Sequence, residues 1–289
     1  MTEHATERGW FAGLDPGSAD GAREAIDEGS AVEPADWPQR AVEAGFADSV
    51  DDYYELLHEA TVTATRATVV DREQADDKQL LHAVRAMDDA DRTANELAER
   101  LAEWAGTLFD DVGTGVEAAR QLSDREPATP LESRVISLAE RVDDLATEAD
   151  ELRSFIEQQA PEVAPNLSEM AGPVLAARLI SLAGGLEALA KKPSGTVQVL
   201  GAEDALFAHL AGRGSSPKHG IIYTHEYVSG TRPEDRGSAS RAFAGKLSIA
   251  ARIDHYSGER RPEIHAQLDD RMSTIRARAD EGASEGGHQ

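Results

Sequence analysis

Lysine and arginine side chains are concentrated in the C-terminal part of a chain that is otherwise acidic. Residues 172–257 hold four of the five lysines, and ten Lys and Arg there outnumber seven Asp and Glu. The whole chain of 289 residues has 54 Asp and Glu, 29 Lys and Arg, and a formal net charge of −25. A locally cationic surface in so acidic a protein favours a polyanionic partner, and RNA is the polyanion that we expect.

The acidic remainder of the chain would repel nucleic acid at low salt, because nonspecific binding depends on cations that displace counterions from phosphates. Five Lys against two dozen Arg, together with the excess of Asp and Glu, is typical of proteins from organisms that accumulate salt. At molar salt the Debye length falls to about 3 Å, so only charges in near contact with RNA matter. An ordinary acidic protein is the alternative interpretation of this composition.

Residues that could carry catalysis are not spaced for a known reaction. His219 and His225 are six positions apart, which fits no zinc-binding helix, and His225-Glu226 lacks the second His of a metalloprotease motif. Gly184-Gly185 is not followed by the Lys of a phosphate-binding loop. The absence of Cys excludes disulfides and thiolate metal sites. We therefore predict a protein that is not an enzyme and that uses no cofactor and no metal.

Low aromatic content, 5% of residues, and regular apolar spacing predict a mainly α-helical protein. A first long helix should end or loosen at Gly113 and Gly115. Its apolar residues follow alternating steps of three and four: Leu80, Ala83, Met87, Ala90, Ala94, Leu97, Leu101, Trp104 and Leu108.

A second long helix has a clear start signal. Thr129 can cap it, Pro130 suits its first position, and Glu132 can close a capping box. We expect Pro161 and Pro165 to end it. A heptad seam predicts a coiled-coil arm that packs on one partner helix and offers a route to self-association, although bundle packing inside one domain explains the pattern as well. The seam residues are Leu131, Val135, Leu138, Val142, Leu145, Ala149, Leu152 and Ile156.

Composition divides the chain into four predicted segments. Residues 1–78 form a short N-terminal region with reduced α/β character, because strand and helix compete in the β-branched stretch Thr61 to Val70. Residues 79–163 hold the long helices or coiled coil. Residues 164–257 begin where the charge density falls, and they include an apolar helix from Val174 to Ala190. Residues 258–289 form a helix over Pro262 to Ala279 and then a disordered acidic tail.

Membrane attachment is not expected. The first residues, MTEHATERGWFAG, lack the basic and apolar regions of a signal peptide, and no window approaches 18 uninterrupted apolar residues. We therefore predict a soluble, cytoplasmic protein.

Three motifs in the basic region carry a family resemblance. They are KKPSGTVQVLGAEDALF from Lys191, SPKHGIIY from Ser216, and SRAFAGKLSIAARID from Ser240. With these motifs, the stretch from Ala164-Pro165-Asn166-Leu167 to about Ser257 resembles the Nop domain of archaeal and eukaryotic box C/D ribonucleoprotein scaffolds. Upstream, the segments at Ala86 and Glu99 resemble the helix that precedes the coiled coil in that family.

The resemblance implies that residues 164–257 form an all-helical Nop domain. It also implies a scaffold and not a catalyst. Family members bind kink-turn box C/D guide RNA together with a small kink-turn-binding ribosomal-type protein, pair through their coiled coils, and hold fibrillarin. Fibrillarin is the methyltransferase that modifies ribose 2′-hydroxyls of the RNA paired with the guide. The RNA-facing positions implied by the resemblance are Lys191, Thr196, Gly201, Ala202, Glu203, Lys218, His219, Arg241, Lys246 and Arg252.

Local chemistry at two of these places agrees with RNA binding. Gly201 at a helix start would let backbone N–H groups approach a phosphate closely. On the last helix, Arg241, Ser248 and Arg252 fall on one side at 100° per residue. The side opposite carries Phe243, Leu247 and Ala250. For the arginines an ordinary solvated face is the alternative, and for Glu203 a cap or salt bridge.

Two residues depart from the family pattern. Asp204 and Ala208 stand where many relatives have basic residues after the Gly-Ala-Glu and Ala-Leu-Phe elements. The N-terminal region is short, and the segment between Leu108 and Thr129 is too short for a full first coiled-coil arm. A protein–protein adaptor whose Nop-like domain no longer binds RNA is therefore the alternative function.

Overall fold

The computed structural model describes residues 9–15, 19–28 and 35–285. Every regular element among these residues is helical, which confirms the prediction of a mainly α-helical protein. A 3-10 turn covers Ile221–Thr224. The α-helices are α1 (Ala19–Glu28), α2 (Trp37–Glu43), α3 (Val50–Glu73), α4 (Asp76–Ala105), α5 (Gly115–Ser123), α6 (Pro130–Val163), α7 (Pro165–Ala171), α8 (Pro173–Ala183), α9 (Leu186–Lys191), α10 (Ser194–Val199), α11 (Glu203–Leu210), α12 (Glu226–Ser229), α13 (Arg236–Tyr256) and α14 (Glu263–Glu285).

The chain divides into two compact units, Met1–Ala75 and Asp76–Gln289. In the first unit, Ser49 caps α3 by accepting a hydrogen bond from the N–H of Asp52 at 3.1 Å. A small aromatic core forms around Phe11, Phe46 and Tyr53, all buried. These residues explain why so short a segment holds together.

The β-branched stretch Thr61 to Val70 lies entirely within α3. The hydroxyl groups of Thr65 and Thr68 donate to backbone carbonyls four residues earlier, at 2.7 and 2.9 Å, so these polar groups are satisfied within the helix. The α/β character predicted for residues 1–78 is not shown by the described part of that region. Residues 1–8, on which the prediction of no targeting segment partly rests, lie outside the described residues.

In the second unit, α4 and α6 form an antiparallel pair. The end of α4, with Ala98 and Leu101, shares a core cluster with Val135 and Val142 near the start of α6. The start of α4 belongs to the same cluster as Ile156 near the end of α6. The partner helix of the predicted coiled-coil arm is therefore α4 of the same chain. Leu108, predicted as part of the first helix, lies beyond its end at Ala105.

The heptad seam of α6 is buried only in part. The four alternate positions Val135, Val142, Ala149 and Ile156 are buried, whereas Leu138, Leu145 and Leu152 are half-buried and Leu131 is 48% exposed. Residues outside the seam, such as Ile136 and Ala139, are buried as well. Because α5 also packs on α6, the buried face is wider than a two-stranded seam requires.

The ends of α6 follow local chemistry. Thr129 caps the helix by accepting from the N–H of Glu132 at 3.1 Å, and the Glu132 carboxylate accepts from the N–H of Ala128 at 2.8 Å. The predicted start is therefore confirmed. Pro161 does not end the helix as we predicted, because it lies inside the last turn, where few later backbone bonds remain to be disturbed. Pro165 begins α7.

A buried polar latch joins α7 to the end of α13. Asp254, 8% exposed, accepts hydrogen bonds from the backbone N–H groups of Asn166 and Leu167 at 3.0 and 2.9 Å and from the Asn166 side chain at 2.6 Å. The Asn166 side chain also accepts from the N–H of Arg261 at 2.6 Å. Burial raises the pKa of Asp254, and the bonds from Asn166 and Leu167 act in the opposite sense.

We predicted one helix over the apolar stretch Val174 to Ala190, but the structure has two helices there, α8 and α9. Gly184 and Gly185 interrupt it with φ angles of 93° and 131°, which favour glycine. The first turn of α4 holds this break, because the Asp77 carboxylate accepts from the N–H of Leu186 at 2.7 Å. Lys78 Nζ donates to the carbonyl of Gly184, also at 2.7 Å.

The last helix packs on α13 through Ile264, Leu268 and Met272, which are buried. Its position confirms the helix predicted over 262–279. The acidic end, 281–289, was expected to be disordered, but residues 281–285 belong to α14 and residues 286–289 lie outside the described part. Within the described ranges, no helix is both long and apolar enough to cross a membrane.

Candidate nucleic-acid interface

The loop that carries Lys218 and His219 is fastened to the end of α10. Gln198 makes two of the bonds, because its side chain donates to the carbonyl of Lys218 at 2.7 Å and its carbonyl accepts from the N–H of Gly220 at 2.8 Å. The N–H of Ile221 donates to the carbonyl of Leu200 at 2.7 Å. The loop backbone is thus held while the Lys218 side chain stays exposed.

Only glycine fits at position 220, where the loop meets the end of α10. A β-carbon at Gly220 would lie 1.9 Å from the carbonyl oxygen of Leu200, a separation that no side chain tolerates. The backbone of the loop therefore lies directly against the end of α10. Thr196 is exposed on α10, two positions before Gln198.

His219 is the first member of a stack of three side chains. Its ring lies on the Tyr223 ring with centroids 4.6 Å apart and planes inclined by 22°. The Arg236 guanidinium lies over Tyr223, 5.4 Å from the ring centroid. Burial and the nearby positive charges of Arg236 and Lys218 lower the pKa of His219. These effects favour the neutral imidazole, which has one donor and one acceptor nitrogen.

A second cationic element is the C-terminal turn of α9, where Lys191 is exposed and Lys192 is half-buried. Lys191 Nζ forms an ion pair with Glu187 at 2.5 Å. Arg252 reaches this turn from α13, donating from Nε to the carbonyl of Ala190 at 3.1 Å and from Nη2 to that of Lys192 at 3.5 Å. A cation at this helix end is favoured by the helix dipole.

The outward face of α13 differs from the predicted one at a single position. Arg241 and Arg252 are exposed and Phe243, Leu247 and Ala250 are buried, as predicted. The prediction that Ser248 lies beside the arginines on the exposed face is wrong, because Ser248 is only 2% exposed. Ile249, 40% exposed, occupies the outward position between the two arginines. Lys246 is half-buried and donates to Gln267 on α14 at 2.6 Å.

The backbone N–H of Gly201, which we expected to bind a phosphate, already has a hydrogen-bond partner within the chain. The N–H of Gly201 donates to the carboxylate of Glu203 at 2.9 Å, so an anion from this chain stands where we expected a phosphate. This supports the capping alternative for Glu203. Gly201 has a φ of +79°, and Ala202 is the N-cap residue of α11.

Helix α11 lies beside these residues with none of its eight side chains buried against the part of the chain that is described. Phe207 is 64% exposed and Leu210 is 72% exposed. Its first turn carries Glu203 and Asp204, and its last turn carries His209. The surface of α11 is thus apolar with an acidic start, and Ala208 adds no cation.

His225, considered and rejected above as a metal ligand, is half-buried and packs against core aromatic residues. Its ring packs on Tyr227 and on Phe243, with centroids 4.6 Å away in both cases. Burial lowers the pKa of His225, and its Nδ1 accepts from the N–H of Tyr227 at 3.2 Å as the cap of α12. No group of His, Asp and Glu suited to a metal occurs among the described residues.

Three residues of this interface escaped the sequence analysis. Gln198, Tyr223 and Arg236 hold the loop and its stack, and none belongs to a periodic or catalytic pattern. Arg236 reaches Tyr223 across thirteen positions and an intervening turn, so no local spacing marks the pair. Tyr223 follows His219 at helical spacing, but that segment lies mostly outside regular helix.

Comparison with known proteins gives the family. The family model described as "Nop: snoRNA binding domain, fibrillarin" matches residues 114–276. An uncharacterized NOP5 family protein of Methanocaldococcus jannaschii is 34% identical over 271 residues, covering 81% of this chain and 66% of that protein. Nucleolar protein 56 of Schizosaccharomyces pombe is 40% identical over 162 residues, covering 55% of this chain and 33% of that protein. Nucleolar protein 58 of Candida albicans is 29% identical over 245 residues, covering 70% and 48%.

The fold is also found in a solved structure. A chain in the crystal structure of a fibrillarin/Nop5p complex superimposes with a TM-score of 0.54 at 23% identity, covering 93% of this chain and 99% of that one. Against the curated relatives, this chain spans about two thirds of the archaeal protein and a third to a half of the fungal ones. Because the family model matches more than half of the 289 residues, the chain belongs to the Nop family.

Proposed function

We propose that this chain is the scaffold subunit of a box C/D guide ribonucleoprotein. It binds kink-turn guide RNA together with the kink-turn-binding ribosomal-type protein, and it positions fibrillarin for 2′-O-methylation of rRNA or tRNA. The scaffold itself is not catalytic. Family membership supports this proposal, and so do the names of the relatives, which include nucleolar proteins 56 and 58 and a fibrillarin/Nop5p complex.

The observation that carries the RNA part of the proposal is the fastened loop at Lys218. Lysine is rare in this chain, yet here an exposed lysine stands on a backbone held by three hydrogen bonds to α10. Because the backbone is already fixed, only the rotamer freedom of the Lys218 side chain is lost when it contacts a phosphate. Arg241 on α13 and Lys191 at the end of α9 are further exposed cations of the same compact unit.

A gel shift in molar KCl tests this proposal directly. A kink-turn RNA that is already bound to its ribosomal-type protein should recruit the chain, whereas naked RNA should recruit it weakly. Lys218→Glu and Arg241→Glu together should abolish recruitment, because each charge-assisted contact contributes about 1.5 to 3 kcal/mol. Arg134→Glu, a charge reversal at an exposed site on α6, is the matched control. An unchanged shift in the double variant contradicts the site.

The fibrillarin part is tested with the whole chain. Fibrillarin should be retained on the immobilised chain in molar KCl, and methyl transfer from S-adenosylmethionine to guide-paired RNA should require both proteins and the guide. The chain alone should transfer no methyl group. Methyl transfer without fibrillarin would contradict the non-catalytic role.

Self-association through the helical arm is part of the same proposal. Exposed Leu131 and half-buried Leu138 and Leu145 leave an apolar edge on α6 that a second copy can cover. Sedimentation at several concentrations measures this, and Leu131→Glu should shift the distribution towards monomer. A monomer at all concentrations contradicts pairing but leaves RNA recruitment intact.

The protein–protein adaptor is the second candidate function. It is favoured by the Glu203 carboxylate that occupies the Gly201 N–H and by the exposed Phe207 and Leu210. In this case the ribosomal-type protein without RNA would recruit the chain as well as the RNA complex does. The comparison between those two samples separates the two functions.

A further inference from the structure

Tyr223 and Arg236 stack behind the His219 ring, although neither side chain was expected to contact RNA. Tyr223 covers one face of the His219 ring, and the guanidinium of Arg236 lies over Tyr223. Tyr223 is 38% exposed, and His219 and Arg236 are half-buried. The three side chains are therefore ordered without being part of the main core.

Arg236 is fixed at its own end by the backbone. Its Nε donates to the carbonyl of Thr231 at 3.0 Å, and its Nη2 donates to that of Ser229 at 3.4 Å. Thr231 is itself 4% exposed, and its hydroxyl donates to the carbonyl of Tyr227 at 2.7 Å. The guanidinium plane is thus anchored to a buried turn, and a planar cation over an aromatic ring restrains that ring.

The loop backbone alone does not orient the His219 ring. The hydrogen bonds to Gln198 and Leu200 fix the main chain from Lys218 to Ile221, but an imidazole on a fixed backbone still samples several rotamers. Stacking on Tyr223 selects one of them. A side chain that is oriented before binding loses less entropy when the complex forms.

We propose that Tyr223 and Arg236 are positioning residues of the RNA interface, which hold the His219 ring in the stacked orientation in which it meets the RNA. The inference rests on the proposed function, because it takes RNA as the ligand of His219. The charged groups that face His219 are Arg236 and Lys218, and both favour its neutral form. A neutral ring contacts RNA by stacking and hydrogen bonding and not as a cation.

The test separates the aromatic ring of Tyr223 from its hydroxyl group. Tyr223→Leu removes the stack and Tyr223→Phe keeps it. Affinity for the kink-turn RNA bound to its ribosomal-type protein is measured in molar KCl for both variants. Tyr223→Leu should lose about tenfold in affinity, in line with the contribution of one aromatic stack, and Tyr223→Phe should restore it. Tyr223→Leu should leave the dependence on salt unchanged, because no phosphate contact is lost.

A double-mutant cycle shows whether Tyr223 acts through His219. In the His219→Ala background, Tyr223→Leu should cause no further loss. Additive losses, or a Tyr223→Phe variant as weak as Tyr223→Leu, would overturn the inference. Thermal unfolding of each variant is recorded, so that a loss caused by unfolding is recognised.

Arg236 is tested without RNA. Histidine ring signals of the free chain are titrated by NMR, and Arg236→Gln should raise the pKa of His219 while Arg236→Lys should keep it low. An unchanged His219 titration in Arg236→Gln contradicts the role of Arg236. This NMR measurement does not depend on the proposed function. If the wild-type chain is not recruited to the RNA complex, the proposed function is contradicted. If the wild-type chain and Tyr223→Leu are recruited equally well, only the inference about Tyr223 is contradicted.

Discussion

Helices α13 and α11 both belong to the candidate RNA interface, but they are held in opposite ways. Helix α13 has nine buried residues and packs on α7, α9, α10, α12 and α14. Helix α11 buries none of its residues against the described chain and exposes Phe207 and Leu210. The fold thus fixes α13 and the segments bonded to it, whereas the apolar side chains of α11 are left to solvent or to another molecule.

The largest effect on stability is expected at Gly220, where the loop packs directly against the end of α10. Gly220→Ala would push a β-carbon to 1.9 Å from the carbonyl oxygen of Leu200, so the loop would have to leave α10. We expect a loss of more than about 4 kcal/mol in the free energy of unfolding, measured by denaturant titration. Gly214→Ala, in the exposed segment after α11, is the control and should change stability by less than about 0.5 kcal/mol. Equal effects would erase the distinction between the two segments.

A matched pair of leucines compares the helices themselves. Leu247 on α13 is 1% exposed and Leu210 on α11 is 72% exposed. Leu247→Ala should lower the free energy of unfolding by about 3 kcal/mol, because it leaves a cavity, and Leu210→Ala should change it by less than about 0.5 kcal/mol. If Leu210→Ala were as damaging as Leu247→Ala, α11 would be packed in solution and the comparison would fail.

The latch at Asp254 sharpens the picture of α13. The two carboxylate oxygens of Asp254 accept from three donors. Asp254→Asn replaces one of these oxygens by an amide NH2, which cannot accept, and should cost about 2 kcal/mol of stability at pH 7. Since the folded-state pKa of Asp254 is raised, the folded protein holds this proton more tightly than the unfolded chain does. Its contribution to stability therefore falls as pH rises from the ordinary pKa near 3.8 through the raised value. This dependence should disappear in Asp254→Asn, and its persistence would exclude Asp254 as its source.

The smallest effect is expected at the lysine turn of α9. Glu187→Gln weakens the exposed ion pair with Lys191, so stability should change by less than about 0.5 kcal/mol. Affinity for the RNA complex should rise at low salt, because Lys191 is then attracted less to its own chain, and the gain should vanish in molar KCl. Gel shifts at two salt concentrations measure this. A gain that persists at high salt would mean that screening does not control this pair.

Elements with local signals could be predicted from the sequence. The cap at Thr129 depends on residues within three positions, and it is present in the structure. The buried side of α13 at Phe243 and Leu247 also follows from spacing. Ser248 was misplaced because a helical wheel assumes a single buried face, whereas neighbours surround α13 over a wider arc.

Features that depend on distant residues could not be predicted. The break between α8 and α9 is held by Asp77, more than a hundred positions away in the chain. The occupied N–H of Gly201 reflects a choice between the Glu203 side chain and an outside anion, which motif spacing does not decide. The stack of His219, Tyr223 and Arg236 joins a loop to the start of a later helix, and such contacts leave no periodic signal.

The contact of Asp77 with Leu186 also sets an order of events during synthesis. The carboxylate of Asp77 receives the N–H of Leu186 at 2.7 Å, across 109 positions of sequence. A ribosome must therefore translate well past codon 186 before the opening turn of α4 can reach its final state. Until then, α4 of the nascent chain lacks the hydrogen bond from Leu186 to Asp77, and the apolar face of α4 is exposed to chaperones and to neighbouring chains.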